Sequence, residues 1–348
     1  MQRRHLVDGR SGGAHLPWPR SRIWRLRSDL GAHASAVVET PYTPDKVNVW
    51  IPDRPGSEAV GELPEGVSLN LIPREEELPD EALDAEFLVP GARDTRIPAL
   101  LPRMKALRVI QTLSAGVDWL LPILPDGVTL CDAAGTRDAA VAEWVVAVIL
   151  ASTKRLSELR DSQREHRWEW QGSHELAGST VLILGYGAIG AATERRLEPF
   201  GVELIRVARR ARAGVHAVED LGELLALADV VVVLLPLTPE TTGLLDAELL
   251  ARLRPGALLV NAARGPVIDM GALRELLGAG RIRAALDVTD PEPLPPGDPM
   301  WDAPGVLITP HLAGDTPAAD RRAFELVGEQ VRRYLRGEPL ANVVKHGY

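Results

Sequence analysis

Short apolar runs separated by polar stretches dominate the chain from residue 47 onward. In the first half each run is six or seven residues long, and the spacers, such as residues 74–84, can hold a helical turn or two. This alternation predicts an α/β unit with a mainly parallel sheet. The predicted strands are residues 47–52, 67–72, 85–90, 107–113 and 127–133.

The second half contains more continuous runs of valine, leucine and isoleucine. Strands that are buried on both faces of a parallel sheet need such runs. Because the runs alternate with stretches of ordinary helical length, they predict a doubly wound parallel sheet. The six predicted strands are residues 180–185, 202–208, 229–236, 256–263, 282–289 and 305–310.

Two further segments have the composition of helices. Residues 139–167 are apolar first and charged later, which predicts a long helix or a helix pair that bridges the two units. Residues 317–337 carry apolar side chains at helical spacing. We expect this last helix to return to the first unit, so that the first domain is discontinuous.

The composition narrows the class of protein. A net charge of −9 argues against a nucleic-acid-binding surface, and the apolar runs are too short to span a bilayer. The single cysteine, Cys131, excludes an intrachain disulfide. We therefore expect a soluble, cytoplasmic protein that binds neither nucleic acid nor membrane.

The first 44 residues differ from the rest, because they carry seven arginines against three acidic residues. Such a composition is typical of organelle transit peptides, but no amphipathic period is clear. We interpret residues 1–44 as a disordered tail or as translation from an upstream start codon, and assign them no function.

The segment GYGAIG, residues 185–190, lies between a predicted strand and a predicted helix. Glycines at this place permit a tight turn and a close backbone approach, and the helix N-terminus favours a pyrophosphate. The segment therefore predicts a dinucleotide-binding loop. The alternative is a glycine turn that serves packing alone.

The next predicted strand ends in Ala208, Arg209 and Arg210. An NAD-binding unit normally places an acidic residue here, which accepts hydrogen bonds from the adenosine ribose. Alanine cannot accept those bonds, whereas the arginines can bind a 2′-phosphate, and an acidic residue would repel it. We therefore predict NADP(H) rather than NAD(H). The alternative is a solvated loop beside an unselective site.

Later strands place Arg264, Asp287 and His311 at the same edge of the sheet. Asp290 and Glu292 closely follow Asp287 in the sequence. Reduction of a 2-oxo acid needs a cation for the carboxylate and carbonyl and a proton donor for the developing alkoxide. Arg264 suits the first role and His311 the second. A carboxylate would fix the imidazole, and Glu292 is preferred to Asp290.

Six linked segments resemble the D-isomer-specific 2-hydroxyacid dehydrogenase family, in particular NADP-type glyoxylate/hydroxypyruvate reductases. The similarity covers roughly residues 47–340. The segments are residues 113–120, 140–150, 234–245, 253–269, 285–295 and 307–314.

The resemblance implies two α/β domains with the active site in the cleft between them. One is a Rossmann-type doubly wound sheet for the coenzyme, and the other is a smaller flavodoxin-like substrate domain. The predicted ranges are 45–150 with 315–348 for the substrate domain, and 151–314 for the dinucleotide-binding domain. A homodimer formed through the coenzyme domain is also implied.

The resemblance also assigns roles to single residues. It implies that Arg264 binds the substrate carboxylate, that His311 is the acid/base with Glu292 as its partner, and that the Ser114-Ala115-Gly116 backbone holds the carboxylate from the other domain. Asp287 would bind the nicotinamide carboxamide. The expected cofactor contacts are Gly185, Gly187, Ala188, Ile189, Gly190, Arg209, Arg210, Pro236, Thr242, Ala262, Ala263 and Asp287.

The chain departs from the family at Thr136, Arg137 and Asp138, where members often have an asparagine near the cofactor and substrate. Trp168 and Trp170 are interpreted as packing or dimer contacts. No metal site is predicted.

The predicted function is NADP(H)-dependent reduction of a small 2-oxo acid to a D-2-hydroxy acid. A formate-type enzyme is disfavoured, because such members lack the equivalent of Glu292. The alternative function is a dinucleotide-sensing, corepressor-like binding protein with little turnover.

Overall fold

The computed structural model describes residues 46–73, 78–91, 94–170 and 172–345, so the predicted tail lies outside the described residues. Within these ranges the strands form two sheets. Neighbouring strands are parallel throughout both sheets. The predicted α/β class is therefore confirmed.

The first sheet has five strands in the order β2-β1-β3-β4-β5, which is the flavodoxin-like order. Each of the five predicted runs contains one of its strands. They are β1 (Val47–Pro52), β2 (Val67–Ile72), β3 (Phe87–Leu88), β4 (Val109–Gln111) and β5 (Thr129–Cys131).

The second sheet has seven strands in the order β12-β11-β10-β9-β6-β7-β8, which is the doubly wound dinucleotide-binding order with one added strand. The six predicted strands are present, and one more was not predicted because it has only two residues. The strands are β6 (Thr180–Leu184), β7 (Glu203–Ala208), β8 (His216–Ala217), β9 (Val230–Val233), β10 (Leu258–Asn261), β11 (Arg283–Leu286) and β12 (Val306–Ile308).

Helices connect the strands and cover the sheets. The segment predicted as a long helix or a helix pair is a pair, broken at Arg155, which has φ 53°. The α-helices are α1 (Ile97–Leu100), α2 (Asp138–Thr153), α3 (Leu156–Arg164), α4 (Ala188–Leu197), α5 (Leu221–Leu225), α6 (Ala247–Ala251), α7 (Met270–Gly278) and α8 (Pro317–Leu335).

The seven-stranded sheet is covered on both faces. Val231 of β9 shares a buried cluster with Leu273 of α7. Val232, the next residue, belongs to a different cluster that contains Val145 of α2. Successive side chains of a strand point to opposite faces, so helices must lie on both sides of this sheet. This explains the continuous apolar runs of its strands.

Helices α2 and α8 each pack on the sheet whose strands lie in the other half of the chain. Helix α8, near the C-terminus, packs on the first sheet, and helix α2, which follows the strands of the first sheet, packs on the second. Phe324 of α8 is fully buried in a cluster with Val49 and Phe87 of the five-stranded sheet. Helix α2 packs on the seven-stranded sheet, and the predicted boundary at residues 150/151 falls inside it. The division of the chain into the three predicted ranges remains a prediction.

Strand β6 lies inside the second sheet, between β7 and β9. The chain leaves β6 toward β7 on one side and later returns to β9 on the other. In open α/β sheets this reversal leaves a crevice at the carboxyl ends of the strands, where ligands bind. In the described ranges, no helix combines the length and the apolar character that crossing a membrane would require.

Candidate functional site

The glycine-rich loop, residues 185–190, joins β6 to α4. Gly185 has φ 102°, and a Cβ atom on it would lie 2.6 Å from the carbonyl carbon and oxygen of Leu234. A Cβ atom on Gly190 would lie 2.9 Å from the carbonyl oxygen of Gly185. Neither position can therefore carry a side chain without moving backbone.

The start of α4 is open to a ligand. Gly187 and Ala188 are exposed and Ile189 is half-buried. The first N–H groups of this ten-residue helix lack acceptors inside it, and the positive end of the helix dipole lies there. The loop therefore fits the pyrophosphate of a dinucleotide.

Strand β7 ends at Ala208, and Arg209 and Arg210 follow it as exposed residues. Among the described residues, neither arginine forms a side-chain hydrogen bond or an ion pair. Arg209 has Glu240 as an electrostatic neighbour: hydrogen bonds from Thr238 and the backbone lower the pKa of that carboxyl, and the charge of Arg209 lowers it to a smaller extent. The two arginines therefore provide positive charge directly after a strand that ends in alanine.

A third arginine of this segment contacts the glycine-rich loop. Arg212 donates a hydrogen bond from Nη2 to the backbone oxygen of Tyr186, 2.6 Å away. Its guanidinium lies 5.7 Å from the centre of the Tyr186 ring, and Arg206 lies 5.8 Å from the same centre. Arg206 also forms a two-point ion pair with Glu194, and its hydrogen bonds lower the pKa of that carboxyl.

The segment after β9 contains Pro236 and Thr242, both exposed. Thr242 donates from Oγ1 to the backbone oxygen of Thr238 at 2.8 Å, and the Pro236 oxygen accepts a hydrogen bond from Thr241 Oγ1 at 2.7 Å. These bonds order the loop. Its contact with a cofactor remains a prediction.

The turn after β10 is organised by Asn261, which is fully buried. Its Oδ1 accepts a hydrogen bond from the N–H of Ala263 at 3.0 Å, and its Nδ2 donates to the backbone oxygen of Arg264 at 3.1 Å. Ala262 is half-buried and Ala263 is buried in this turn. The amide of Asn261 therefore fixes the backbone from which the Arg264 side chain projects.

Arg264 lies against the turn formed by Ser114–Gly116. A Cβ atom on Gly116 would lie 1.5 Å from Arg264 Nη2, so only glycine permits this approach. Asp118 Oδ1 accepts a hydrogen bond from Arg264 Nε at 3.1 Å and forms an ion-pair contact with Arg264 Nη2 at 3.0 Å. Arg264 Nη1 donates to the backbone oxygen of Ala263 at 2.8 Å. The structure thus brings Arg264 together with the predicted carboxylate-binding turn.

His311 and Glu292 form a pair. His311 Nδ1 lies 2.8 Å from Glu292 Oε1, and the two side chains are 34% and 29% exposed. The peptide bonds before Pro291 and Pro293, on either side of Glu292, are cis. One imidazole nitrogen thus faces a carboxylate, and Nε2 has no hydrogen-bond partner among the residues that the structure describes.

Asp287 holds the loop that carries His311. Its Oδ1 accepts hydrogen bonds from Thr309 Oγ1 at 2.6 Å and from the N–H of Leu312 at 2.8 Å, and its Oδ2 accepts from the N–H of Ala313 at 2.9 Å. Asp287 is only 3% exposed. Its observed contacts order the histidine loop, and the implied contact with a carboxamide remains a prediction.

Comparison with known proteins identifies relatives of this chain. A profile described as "D-isomer specific 2-hydroxyacid dehydrogenase, NAD binding domain" matches residues 146–313. A glyoxylate reductase of Thermofilum pendens is 35% identical over 283 residues, which are 76% of this chain and 83% of that protein. The chain belongs to the D-isomer specific 2-hydroxyacid dehydrogenase family. The predicted resemblance is therefore confirmed.

Other family members are similar over most of the chain. A D-3-phosphoglycerate dehydrogenase of Mycobacterium tuberculosis is 33% identical over 313 residues, or 86% of this chain. The alignment spans 59% of that longer protein. A solved D-isomer specific 2-hydroxyacid dehydrogenase of Xanthobacter autotrophicus, described as a complex with NADPH and MES, has a TM-score of 0.74 and 32% identity, covering 87% of this chain and 98% of its own.

Three residues of the candidate site in the present chain were given no role in the sequence analysis. Asp118 pairs with an arginine 146 residues away, which no local pattern indicates. Arg212 follows Arg209 and Arg210 within the same stretch, so its charge was visible but its contact with Tyr186 was not. Asn261 could have been found from the sequence, because it is a polar residue at the end of the apolar strand β10, three residues before Arg264.

Proposed function

We propose that this chain is an NADPH-dependent reductase that converts a small 2-oxo acid into a D-2-hydroxy acid. The proposal depends on one arrangement of side chains. Arg264 packs against the Ser114–Gly116 turn, and the His311–Glu292 pair lies after β12, at the same edge of the seven-stranded sheet as Arg264. An anion-binding cation and a proton donor at that edge are what this reduction needs.

A dinucleotide, when bound, supplies the hydride. The glycine-rich loop and the start of α4 would hold its pyrophosphate, since side chains are excluded at Gly185 and Gly190. Arg209 and Arg210 would bind the 2′-phosphate of NADPH, because both are exposed and none of residues 209–214 is acidic. The Xanthobacter family member described with NADPH supports this choice.

Arg264 binds the substrate carboxylate and polarises the reacting carbonyl. Its guanidinium is held by Asp118 through Nε and Nη2, so it is oriented before the substrate arrives. A cation fixed in advance loses little freedom on binding and acts on developing charge without rearrangement. The backbone of the Ser114–Gly116 turn supports the same carboxylate from the other sheet.

His311 transfers the proton. Glu292 accepts the Nδ1–H of the imidazole, which fixes the ring and leaves Nε2 to donate its proton to the developing alkoxide. In the reverse direction Nε2 takes the proton from the hydroxyl group. Asp287 keeps the loop in place through the N–H groups that follow His311.

We also infer a homodimer. Trp168 and Trp170, in the segment that leads into the seven-stranded sheet, are 103% and 97% exposed. Leu156, at the start of the preceding helix α3, is 53% exposed. Exposed aromatic side chains at this density are typical of a protein interface.

The experiment that tests the function measures initial rates of NADPH and NADH oxidation with glyoxylate, hydroxypyruvate and branched or aromatic 2-oxo acids. We expect turnover with small 2-oxo acids and a preference for NADPH. Preference for NADH would overturn the cofactor assignment. Binding of dinucleotide without turnover of any substrate would overturn the reductase and favour the sensor.

A further inference from the structure

Arg137 lies where the two sheets meet, directly before α2. It belongs to the segment in which the chain departs from the asparagine that many family members carry. Its side chain is only 16% exposed. The mechanism above gives this buried cation no role.

The guanidinium of Arg137 forms hydrogen bonds in three directions. Nε donates to the backbone oxygen of Leu113 at 2.9 Å, and Nη1 donates to the backbone oxygen of Gly314 at 2.5 Å. Nη2 donates to Asp320 Oδ1 at 2.8 Å. All three nitrogens are therefore engaged, each with a different segment of the chain.

Two of these segments carry substrate-binding and proton-transfer groups. Leu113 directly precedes the Ser114–Gly116 turn, which follows β4 of the five-stranded sheet. Gly314 is three residues after His311, in the loop that follows β12 of the seven-stranded sheet. One planar group thus connects the carboxylate-binding side of the cleft to the histidine side.

The third partner, Asp320 on α8, fixes the position of the guanidinium. Asp320 is 7% exposed, and its Oδ2 also accepts a hydrogen bond from Arg54 at 2.5 Å. Asp315 Oδ1 lies 3.6 Å from Arg54 Nη2 and 3.9 Å from Arg137 Nη1. Two arginines and two aspartates therefore balance in charge, and the buried Asp320 keeps Arg137 in one orientation.

Gly314 permits the close contact. A Cβ atom on Gly314 would lie 3.2 Å from Arg137 Cδ and 3.4 Å from Arg137 Cβ. The histidine loop therefore approaches the arginine stem through a residue without a side chain.

We propose that Arg137 is a positioning residue that sets the separation of the Ser114–Gly116 turn and the His311 loop across the cleft. This inference rests on the proposed function, since those two segments hold the substrate carboxylate and deliver the proton. Lysine cannot replace arginine here, because its donors share one nitrogen and cannot reach three separated acceptors.

The kinetic test compares Arg137→Ala and Arg137→Lys with Arg322→Ala, using NADPH and glyoxylate. Arg322 is the matched control, because it donates to the backbone oxygen of the neighbouring Thr136 at 2.8 Å but forms no hydrogen bond to either segment. We expect kcat to fall about 100-fold in Arg137→Ala, since small misplacements of reacting groups cost about that much.

Several readouts separate positioning from a general loss of structure. The Kd for NADPH should stay within about twofold, and the deuterium isotope effect on kcat should rise because hydride transfer becomes slower. Guanidinium ion at concentrations far below denaturing levels should restore part of kcat in Arg137→Ala. Arg137→Lys should remain close to the alanine variant, and Arg322→Ala close to the unmodified chain.

Amide hydrogen exchange tests the same inference without turnover. Exchange in residues 113–116 and 311–316 should become faster in Arg137→Ala, while residues 181–184 of β6 keep their protection. Unchanged exchange at the two segments, or equally faster exchange in β6, would overturn the proposal. Unchanged kcat in Arg137→Ala with an active parent enzyme would overturn it as well. An inactive parent enzyme would instead count against the proposed function, and the exchange data would still decide the role of Arg137.

Discussion

The double variant Arg209→Ser/Arg210→Ser should weaken the use of NADPH and leave the use of NADH unchanged. Both arginines are exposed, follow β7 directly and form no side-chain hydrogen bond or ion pair among the described residues. The charge of Arg209 is felt by the exposed carboxylate of Glu240, without a direct contact. They are therefore available to a 2′-phosphate, which NADH lacks. Serine removes the charge and keeps a small polar side chain, so the loop itself should be undisturbed.

The expected size of the effect follows from exposure. A hydrogen bond between charged groups contributes about 1.5–3 kcal/mol when it is shielded, but exposed ion pairs contribute roughly 0–1 kcal/mol. With about 1 kcal/mol for each arginine, removing both costs about 2 kcal/mol, or roughly 30-fold in kcat/KM for NADPH. Salt should reduce the difference, because it screens exposed charges.

The assay measures kcat/KM for NADPH and NADH at two ionic strengths, with Arg160→Ser on α3 as the control for loss of an exposed arginine. Adding Ala208→Asp to the double variant supplies an acceptor for the ribose hydroxyls and should raise kcat/KM for NADH. An unchanged kcat/KM for NADPH in the double variant, or equal losses with both cofactors, would refute the reasoning.

Three further predictions concern single features. In steady-state kinetics, Asp118→Asn should raise KM for glyoxylate about tenfold without changing the Kd for NADPH, because the neutral amide holds Arg264 less firmly. An unchanged KM would contradict this prediction. Burial, and then the neighbouring negative charge of Asp132, raise the pKa of Cys131 to about 12, so at pH 8 only about one thiol in ten thousand is ionised and a disulfide reagent should react only after unfolding; rapid labelling of the folded protein would refute it. Trp168→Ala/Trp170→Ala should shift sedimentation from dimer toward monomer, and an unaltered dimer would exclude this segment from the interface.

Much of the fold followed from local pattern, because burial on both faces forces continuous apolar runs. Val231, Val232 and Val233 of β9 are each fully buried, as a strand covered on both faces of a parallel sheet requires. Strand β8 was missed because two residues, His216 and Ala217, have no measurable period. Its pairing with β7 is a tertiary effect.

The candidate site could likewise be predicted from the sequence in part. Arg264 and His311 could be predicted because parallel strands deliver their last residues to one edge, and the strand ends were clear. The pairing of Arg264 with Asp118 and the three bonds of Arg137 join segments that are distant in sequence, up to 183 residues in the case of Asp320. Such contacts depend on how the two sheets meet, which no stretch of sequence encodes alone.

The most direct test of the central claim is a single-turnover measurement of NADPH oxidation by glyoxylate, comparing the full chain with His311→Gln. We predict that both bind NADPH with the same Kd, and that the variant transfers hydride about 100-fold to 10,000-fold more slowly, since a glutamine amide cannot transfer a proton to the developing alkoxide as the imidazole does. Equal rates of oxidation in the two proteins would contradict the assignment of His311 and, with it, the proposed mechanism.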